Sequence, residues 1–139
     1  MRLVIDTNIL ISSLFTGLSL PAHLIALWRE GQFDLLTSAE QLDELMRVTR
    51  YPRIRGRLAP VLAGRLVNEM RDVAVMAKNL PTVTLCSDPD DNYLLSMAAA
   101  GSADFLVTGD KRDLLGLKLY KSTRIISVRE FLTLRRRLP

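Results

Sequence analysis

The chain of 139 residues contains one cysteine, Cys86, and one histidine, His23. A single cysteine cannot form an internal disulfide, which favours a reducing compartment such as the cytoplasm. One cysteine and one histidine also cannot supply the sulfur and nitrogen ligands of a typical zinc site. Any metal would therefore have to be bound mainly by carboxylates and other oxygen donors.

The sequence also lacks a run of roughly 18 apolar residues, the length that a membrane-spanning helix requires. The opening MRLVIDTNILISS has the positive charge and apolar residues of a signal peptide, but Asp6 and Asn8 interrupt it. Internal repeats, low-complexity tracts and an obvious linker are missing as well. We therefore expect one cytoplasmic domain over residues 1–139, with no membrane partner.

Positive charge is in moderate excess, because Lys and Arg outnumber Asp and Glu by 19 to 15. Such an excess is compatible with a polyanionic partner such as a nucleic acid, yet many basic proteins bind none. The charge balance alone therefore carries little weight.

Short apolar runs alternate with segments of helical period, which predicts an α/β fold with a mostly parallel sheet. The predicted strands are residues 3–5, 33–37, 82–85, 105–108 and 124–127. Pro21 and Gly31 bracket one predicted helix, in line with the preference for proline at helix starts and glycine at helix ends. Two capping-box spacings predict helices from 39 and 128, and a long helix is expected from 61 to about 78.

Acidic residues follow several of these runs. Asp6 ends the first strand, Asp110 follows the strand at 105–108, and Asp88, Asp90 and Asp91 lie in the loop after the run at 82–85. In an open parallel sheet, ligands bind at the carboxyl ends of the strands. Three separate segments are therefore predicted to bring carboxylates to one edge.

Each acidic residue also has a structural interpretation. Asp88 or Asp91 could cap a helix, and Asp110 could be a turn residue beside Gly109. Asp6 is harder to explain in this way because it interrupts an apolar run. Several carboxylates close together repel one another unless a cation is shared between them. An all-oxygen site suits Mg²⁺ or Mn²⁺ and predicts metal-assisted hydrolysis of a phosphodiester.

Four segments together resemble the PIN-domain family of metal-dependent ribonucleases: IDTNILISS, SAEQLDEL at 38–45, DPDDNYLL at 88–95 and LVTGD at 106–110. The similarity extends to the PIN-family toxins of bacterial and archaeal toxin–antitoxin pairs. It implies a three-layer α/β/α sandwich around a mostly parallel five-stranded sheet. It also implies that one or two Mg²⁺ or Mn²⁺ ions in an acidic cluster activate water for attack on RNA.

The resemblance implies roles for individual residues. By position, the acidic ligands of the family correspond to Asp6, Glu44, Asp91 and Asp110, and the polar residues that orient them correspond to Asn8 and Thr108. By helical spacing alone, Glu44 lies off the apolar stripe and could be an ordinary solvated side chain. Asp43 and Glu40 therefore remain alternatives for the second acidic ligand. Asp88 competes with Asp91 for the third position and is the candidate helix cap or outer partner.

A basic segment follows the helix that carries Glu44. It contains Arg47, Arg50, Arg53, Arg55 and Arg57 around Tyr51. If this segment borders the acidic cleft, its guanidinium groups would hold an RNA backbone and Tyr51 would stack on a base. A solvated surface without a partner is the alternative.

The resemblance further implies an antitoxin protein that blocks the cleft, and a homodimer. Two competing functions remain open. One is a phosphatase with Asp6 as nucleophile, although Asn8 replaces the second aspartate that such enzymes use as acid and base. The other is a non-catalytic module that binds RNA or a protein partner.

Overall fold

The computed structural model describes residues 1–109 and 112–136. Its centre is a six-stranded sheet in the order β3-β2-β1-β4-β6-β5. The strands are β1 (Arg2–Ile5), β2 (Asp34–Thr37), β3 (Val75–Met76), β4 (Phe105–Val107), β5 (Leu119–Tyr120) and β6 (Thr123–Ile126). All neighbouring strands are parallel except the antiparallel pair β5 and β6. The predicted mostly parallel sheet is confirmed, with one strand more than expected.

Helices cover both faces of the sheet. They are α1 (Thr7–Ser12), α2 (Leu20–Arg29), α3 (Ala39–Val48), α4 (Pro52–Arg55), α5 (Pro60–Val73), α6 (Pro89–Gly101), α7 (Arg112–Leu117) and α8 (Val128–Arg136). Leu3 and Ile5 of β1 pack in one core with α1, α2, α3, α5 and α8. Val4 points to the opposite face and packs with α6 and α7. This alternation along β1 produces the expected three-layer α/β/α sandwich.

Both helix starts predicted from the capping-box spacings are confirmed, although only the start of α8 has the two reciprocal bonds of a complete capping box. Ser38 Oγ accepts a hydrogen bond of 3.1 Å from the backbone N–H of Gln41 at the start of α3. At the start of α8, Glu130 N–H donates to Ser127 Oγ at 3.1 Å, and Ser127 N–H donates back to Glu130 Oε1 at 3.4 Å. The helix that begins at Leu20 likewise ends just before Gly31, whose φ of +76° is readily adopted only by glycine.

The strand predicted at 82–85 is wrong. The strand between α5 and α6 is instead β3, where Val75 pairs with Leu36 of β2, so α5 ends at Val73 rather than near 78. Residues 82–85 run without a ladder partner along α6, with Val83 packed on the core and Leu85 58% exposed. A short alternating run looks the same in sequence whether or not a strand pairs with it. The acidic segment 88–91 consequently does not follow a strand.

The unexpected strand β5 forms a tight hairpin with β6. Lys121, in the turn between them, has φ +53°. This left-handed conformation is usually marked in a sequence by glycine or asparagine, so a lysine gives no turn signal. The short helices α1, α4 and α7 were also not predicted, since helices of four to six residues show too little of the helical period.

The strand ends position the candidate site. Asp6 follows β1, Ser38 follows β2 and Thr108 follows β4, and these three strands are adjacent and parallel. Their carboxyl ends therefore meet at one edge of the sheet. Within the described ranges, no helix is both long and apolar enough to cross a membrane.

Candidate active site

Asp6 lies at the carboxyl end of β1, beside the end of the neighbouring strand β4, and is 3% exposed. Its Oδ1 accepts a 3.1 Å hydrogen bond from the backbone N–H of Asn8, which caps the start of α1. Its Oδ2 accepts a 2.8 Å hydrogen bond from Thr108 Oγ1. Both carboxylate oxygens are thus held by donors from residues next to β1 and β4, and the carboxylate has a defined orientation.

A cleft of about 210 Å³ opens above Asp6. It is lined by Asp6, Thr7, Asn8, Glu44, Arg47, Val48, Tyr51, Asp90, Tyr93 and Leu94. The cleft brings together the start of α1, the outer face of α3 and the first turns of α6. Three carboxylates and one arginine therefore face the same small space.

Glu44 owes its place in the cleft to the way α3 is anchored. Gln41, one turn earlier, is fully buried, and its Nε2 donates to Ile5 O at 2.8 Å and to Thr7 Oγ1 at 3.3 Å. Its Oε1 accepts from Thr37 Oγ1 at 2.8 Å. These bonds hold α3 against the ends of β1 and β2, which turns Glu44 towards the cleft.

Sequence reasoning missed Gln41 as a site residue. In a capping box, a glutamine at this position is expected to bond back to the start of its own helix. Here its amide instead bonds with the ends of β1 and β2. The available signal was a polar residue beside Leu42 on the inward side of a predicted amphipathic helix.

The three neighbouring aspartates at the start of α6 have different surroundings. Asp88 is exposed and caps the helix, because its Oδ1 accepts from the N–H of Asp90 at 2.9 Å. Asp90 lines the cleft together with Tyr93 and Leu94, which follow at helical spacing. Asp91 is 4% exposed and is not among the described residues that line the cleft. The structure thus brings Asp90 into the cleft, whereas the sequence placed it in the acidic loop with Asp88 and Asp91 but assigned it no ligand role.

Asp110 falls outside the described residues. Over residues 1–109 and 112–136, no three Asp, Glu, His or Cys side chains lie close enough to form a metal-ligating group. The potential metal ligands among the described lining residues of the cleft are nevertheless all oxygens, from carboxylate, amide and hydroxyl groups, with no sulfur or imidazole. Such a donor set fits a hard cation such as Mg²⁺ or Mn²⁺.

Tyr93 forms the wall of the cleft between α6 and α3. Its hydroxyl is hydrogen-bonded to Ser38 Oγ, the cap of α3. Burial raises the pKa of Tyr93 to about 12, and the nearby carboxylates of Glu40 and Glu44 also raise it, against the opposing effect of the Ser38 hydrogen bond. Tyr93 is therefore a neutral group in the cleft at ordinary pH.

The basic segment borders this cleft. Arg47 and Tyr51 line it, and Tyr51 is 45% exposed. Arg50 and Arg55 line a neighbouring hollow, Arg53 is exposed on α4, and the guanidinium of Arg57 lies 4.6 Å from the centre of the Phe15 ring. In the described part of the chain, none of these arginines forms an ion pair with a carboxylate. Among the described residues, no carboxylate therefore neutralises these positive charges by an ion pair.

Comparison with known proteins is consistent with this arrangement. A family model described as a PIN domain matches residues 2–112. An uncharacterized protein of Methanocaldococcus jannaschii is 29% identical over 120 residues, which span 84% of this chain and 75% of that protein. No solved structure gives a significant match.

Proposed function

Because the chain belongs to the PIN-domain family, whose members are generally nucleases, we propose that it is a metal-dependent endoribonuclease. The reaction would be hydrolysis of an RNA phosphodiester bond in the cleft above Asp6. The observation that carries the proposal is the shared lining of that cleft by Asp6, Glu44, Asp90 and Arg47. Carboxylates at the centre suit a cation, and an arginine at the rim suits the phosphate of a substrate.

Asp6 and Glu44 would hold the ion from the cleft, with Asp91 and Asp110 contributing as the family resemblance implies. When bound, Mg²⁺ or Mn²⁺ would stabilise charge on the phosphate and activate a water molecule. The side chain of Asp88 caps α6, and Asp90 is a further carboxylate that lines the cleft.

The remaining residues of the cleft would orient these groups and the substrate. Thr108 and the backbone of Asn8 hold the carboxylate of Asp6, and Gln41 holds the helix that carries Glu44. RNA binding would use Arg47, Arg50, Tyr51, Arg53 and Arg55. Arg47 would pair with a phosphate, and the exposed ring of Tyr51 would stack on an unpaired base.

The biological setting follows from the family resemblance. We infer a toxin of a toxin–antitoxin pair, which would act as a homodimer in the cytoplasm and be blocked by an antitoxin protein. The single cysteine fits a reducing compartment.

Purified protein should cleave RNA with Mg²⁺ or Mn²⁺ and stop when a chelator is added. Asp6→Asn should fold but lose cleavage. Asp34→Asn is the matched control, because Asp34 is an exposed aspartate at the amino end of β2, the opposite end of the strand from the cleft. Equal cleavage by Asp6→Asn and the control would contradict the proposal.

Metal binding is tested separately by thermal denaturation. Mn²⁺ should raise the melting temperature of the wild type, and Asp6→Asn or Asp110→Asn should abolish the rise. No rise at millimolar metal, together with RNA binding but no cleavage, would instead favour a non-catalytic binding module.

A further inference from the structure

Two walls of the cleft belong to different cores of the protein. Glu44 lies on α3, whose Leu45 packs in the core that also contains α1, α2, α5 and α8. Asp90 lies on α6, whose Leu95 packs in the core on the opposite face of the sheet. Since the sheet separates the two cores, apolar packing in either core does not by itself fix the distance between the two carboxylates.

A hydrogen bond between side chains joins these two walls. The hydroxyl of Tyr93, one turn after Asp90 on α6, is bonded to Ser38 Oγ, the cap of α3. Ser38 is fully buried, and its Oγ also accepts a 3.1 Å hydrogen bond from the backbone N–H of Gln41. Glu44 follows Gln41 by one turn. The bond therefore runs from the helix that carries Asp90 to the anchored end of the helix that carries Glu44.

Tyr93 is only partly confined by packing. It packs against the core beneath α6, but it also lines two cavities, the cleft and a hollow of about 450 Å³ between α6 and residues 80–84. A side chain that borders open space has fewer neighbours to hold it than one inside a close-packed core. The hydrogen bond with Ser38 therefore supplies the directional contact that holds the end of this side chain.

We propose that Tyr93 is a positioning residue. Its hydrogen bond with Ser38 fixes the spacing of Asp90 and Glu44 across the cleft, and this spacing selects the size of the ion that the carboxylates accept. The selection of an ion rests on the proposed function. Mg²⁺ needs its oxygen ligands closer and in a stricter geometry than Ca²⁺ does. Walls held at a fixed spacing would favour Mg²⁺, whereas released walls would also accept Ca²⁺.

Direct contact of the Tyr93 hydroxyl with RNA is the competing interpretation, because Tyr93 lines the cleft. The structure favours the positioning role, since the hydroxyl already has a partner in the fully buried Ser38. A hydroxyl that turned towards RNA would give up this bond, and losing a hydrogen bond to a buried group is costly.

The spacing role is tested in the metal-free protein by hydrogen–deuterium exchange. Tyr93→Phe removes the hydroxyl and keeps the ring. Amides at the start of α3 and in the first turns of α6 should exchange about 3-fold to 10-fold faster, beyond any change in the rest of the chain, as expected for loss of one hydrogen bond. Thr123→Val is the matched control, because it removes a buried hydroxyl that donates to Ala103 O at 2.7 Å, away from the cleft. It should cause no such local increase.

Ion selection is measured by the rise in melting temperature with Mg²⁺ or Ca²⁺, which reports affinity without cleavage. Tyr93→Phe should bind Mg²⁺ about 10-fold more weakly, as for loss of groups that orient metal ligands, and Ca²⁺ no more weakly than the wild type does. Ser38→Ala should shift this preference in the same way, and the double variant should shift it little further, because both changes break one bond. Thr123→Val should keep the wild-type preference.

Equal exchange of α3 and α6 in Tyr93→Phe and Thr123→Val would overturn the inference. An unchanged ratio of Mg²⁺ to Ca²⁺ affinity in Tyr93→Phe would overturn it as well. If Tyr93→Phe instead lost only affinity for RNA, measured with a chelator present, the hydroxyl would be an RNA contact. Wild-type protein that binds neither ion would contradict the proposed function and the ion selection, and the metal-free exchange would still decide whether Tyr93 fixes the spacing of the walls.

Discussion

Thr108 Oγ1 donates a 2.8 Å hydrogen bond to Asp6 Oδ2, although the two residues are 102 positions apart in the chain. Both side chains are buried, and each follows one of two adjacent parallel strands. The bond therefore depends on the pairing of β1 with β4 and fixes the carboxylate around which the cleft is built.

Replacing Thr108 by valine keeps the shape of the side chain and removes this donor. We expect cleavage and Mn²⁺ affinity to fall about 10-fold to 100-fold, as for loss of groups that orient metal ligands. Initial cleavage rates and Mn²⁺-dependent melting measure the two effects. Thr123→Val is the control, because Thr123 Oγ1 donates to Ala103 O at 2.7 Å away from the cleft. If both variants lost activity equally, the effect would be one of general stability.

Gln41→Leu should destabilise the fold. The change removes the donor to Ile5 O and the acceptor of the Thr37 hydroxyl, and leaves both buried groups without those bonds. We expect the free energy of unfolding to fall by about 1–3 kcal/mol, measured by urea denaturation. Gln32→Leu, at an exposed position, should change it by less than about 0.5 kcal/mol. A Gln41→Leu protein as stable as the wild type would show that these bonds contribute little.

Gly101→Ala tests the contact between α6 and β2. A Cβ at Gly101 would lie 2.6 Å from Leu36 Cδ1 and 2.8 Å from Leu36 Cδ2, and Leu36 is fully buried. Since Leu36 has little room to move, we expect a loss of about 1–3 kcal/mol in the free energy of unfolding. Gly64→Ala in α5 meets no atom within 4 Å and should stabilise by about 0.5–1 kcal/mol. Equal stability of the two variants would contradict the close packing.

Tyr93 should lose its proton only in strongly alkaline solution. Its pKa is raised from the usual 10 to about 12, so the folded state retains the proton over a range in which the unfolded state releases it. The stability contributed by the neutral form is therefore complete below pH 10 and is lost as the pH rises towards 12. Melting temperatures across this range should fall less steeply in Tyr93→Phe. An ultraviolet difference titration that placed the Tyr93 midpoint near 10 would contradict the prediction.

Local patterns were sufficient for several elements. The spacing of Ser38 and Gln41 placed the start of α3, and the spacing of Ser127 and Glu130 placed the start of α8. Capping bonds join residues three positions apart, so their sequence signal is complete within one turn. The PIN-domain resemblance, drawn from four short segments, agrees with the family model that matches residues 2–112.

Pairing between strands was less predictable. Residues 82–85 and Val75–Met76 are both short and β-prone, but only the latter extends the sheet, beside β2. Which of the two segments pairs with β2 depends on the position of the chain at the end of α5. That is a property of helix packing, which neither segment encodes by itself.

In the candidate site, too, some features could be predicted from local sequence and others depended on tertiary packing. Asp6 could be recognised as unusual because it interrupts an apolar run, whereas Asp90 and Asp91 are adjacent and indistinguishable by spacing. The phase of α6 relative to the sheet decides that Asp90 lines the cleft and Asp91 is buried. Asp110, the fourth predicted ligand, lies outside the described residues and stays a prediction.

By itself, the sequence determined the α/β class, the main helix starts and the presence of carboxylates after β1 and near the start of α6, because each of these depends on neighbours along the chain. Only the tertiary structure decided that Thr108 would meet Asp6, that Gln41 would anchor α3, and that Glu44 would face the cleft. These contacts join residues that are distant in sequence, and they form only when strand order and helix packing bring the separate segments to one edge of the sheet.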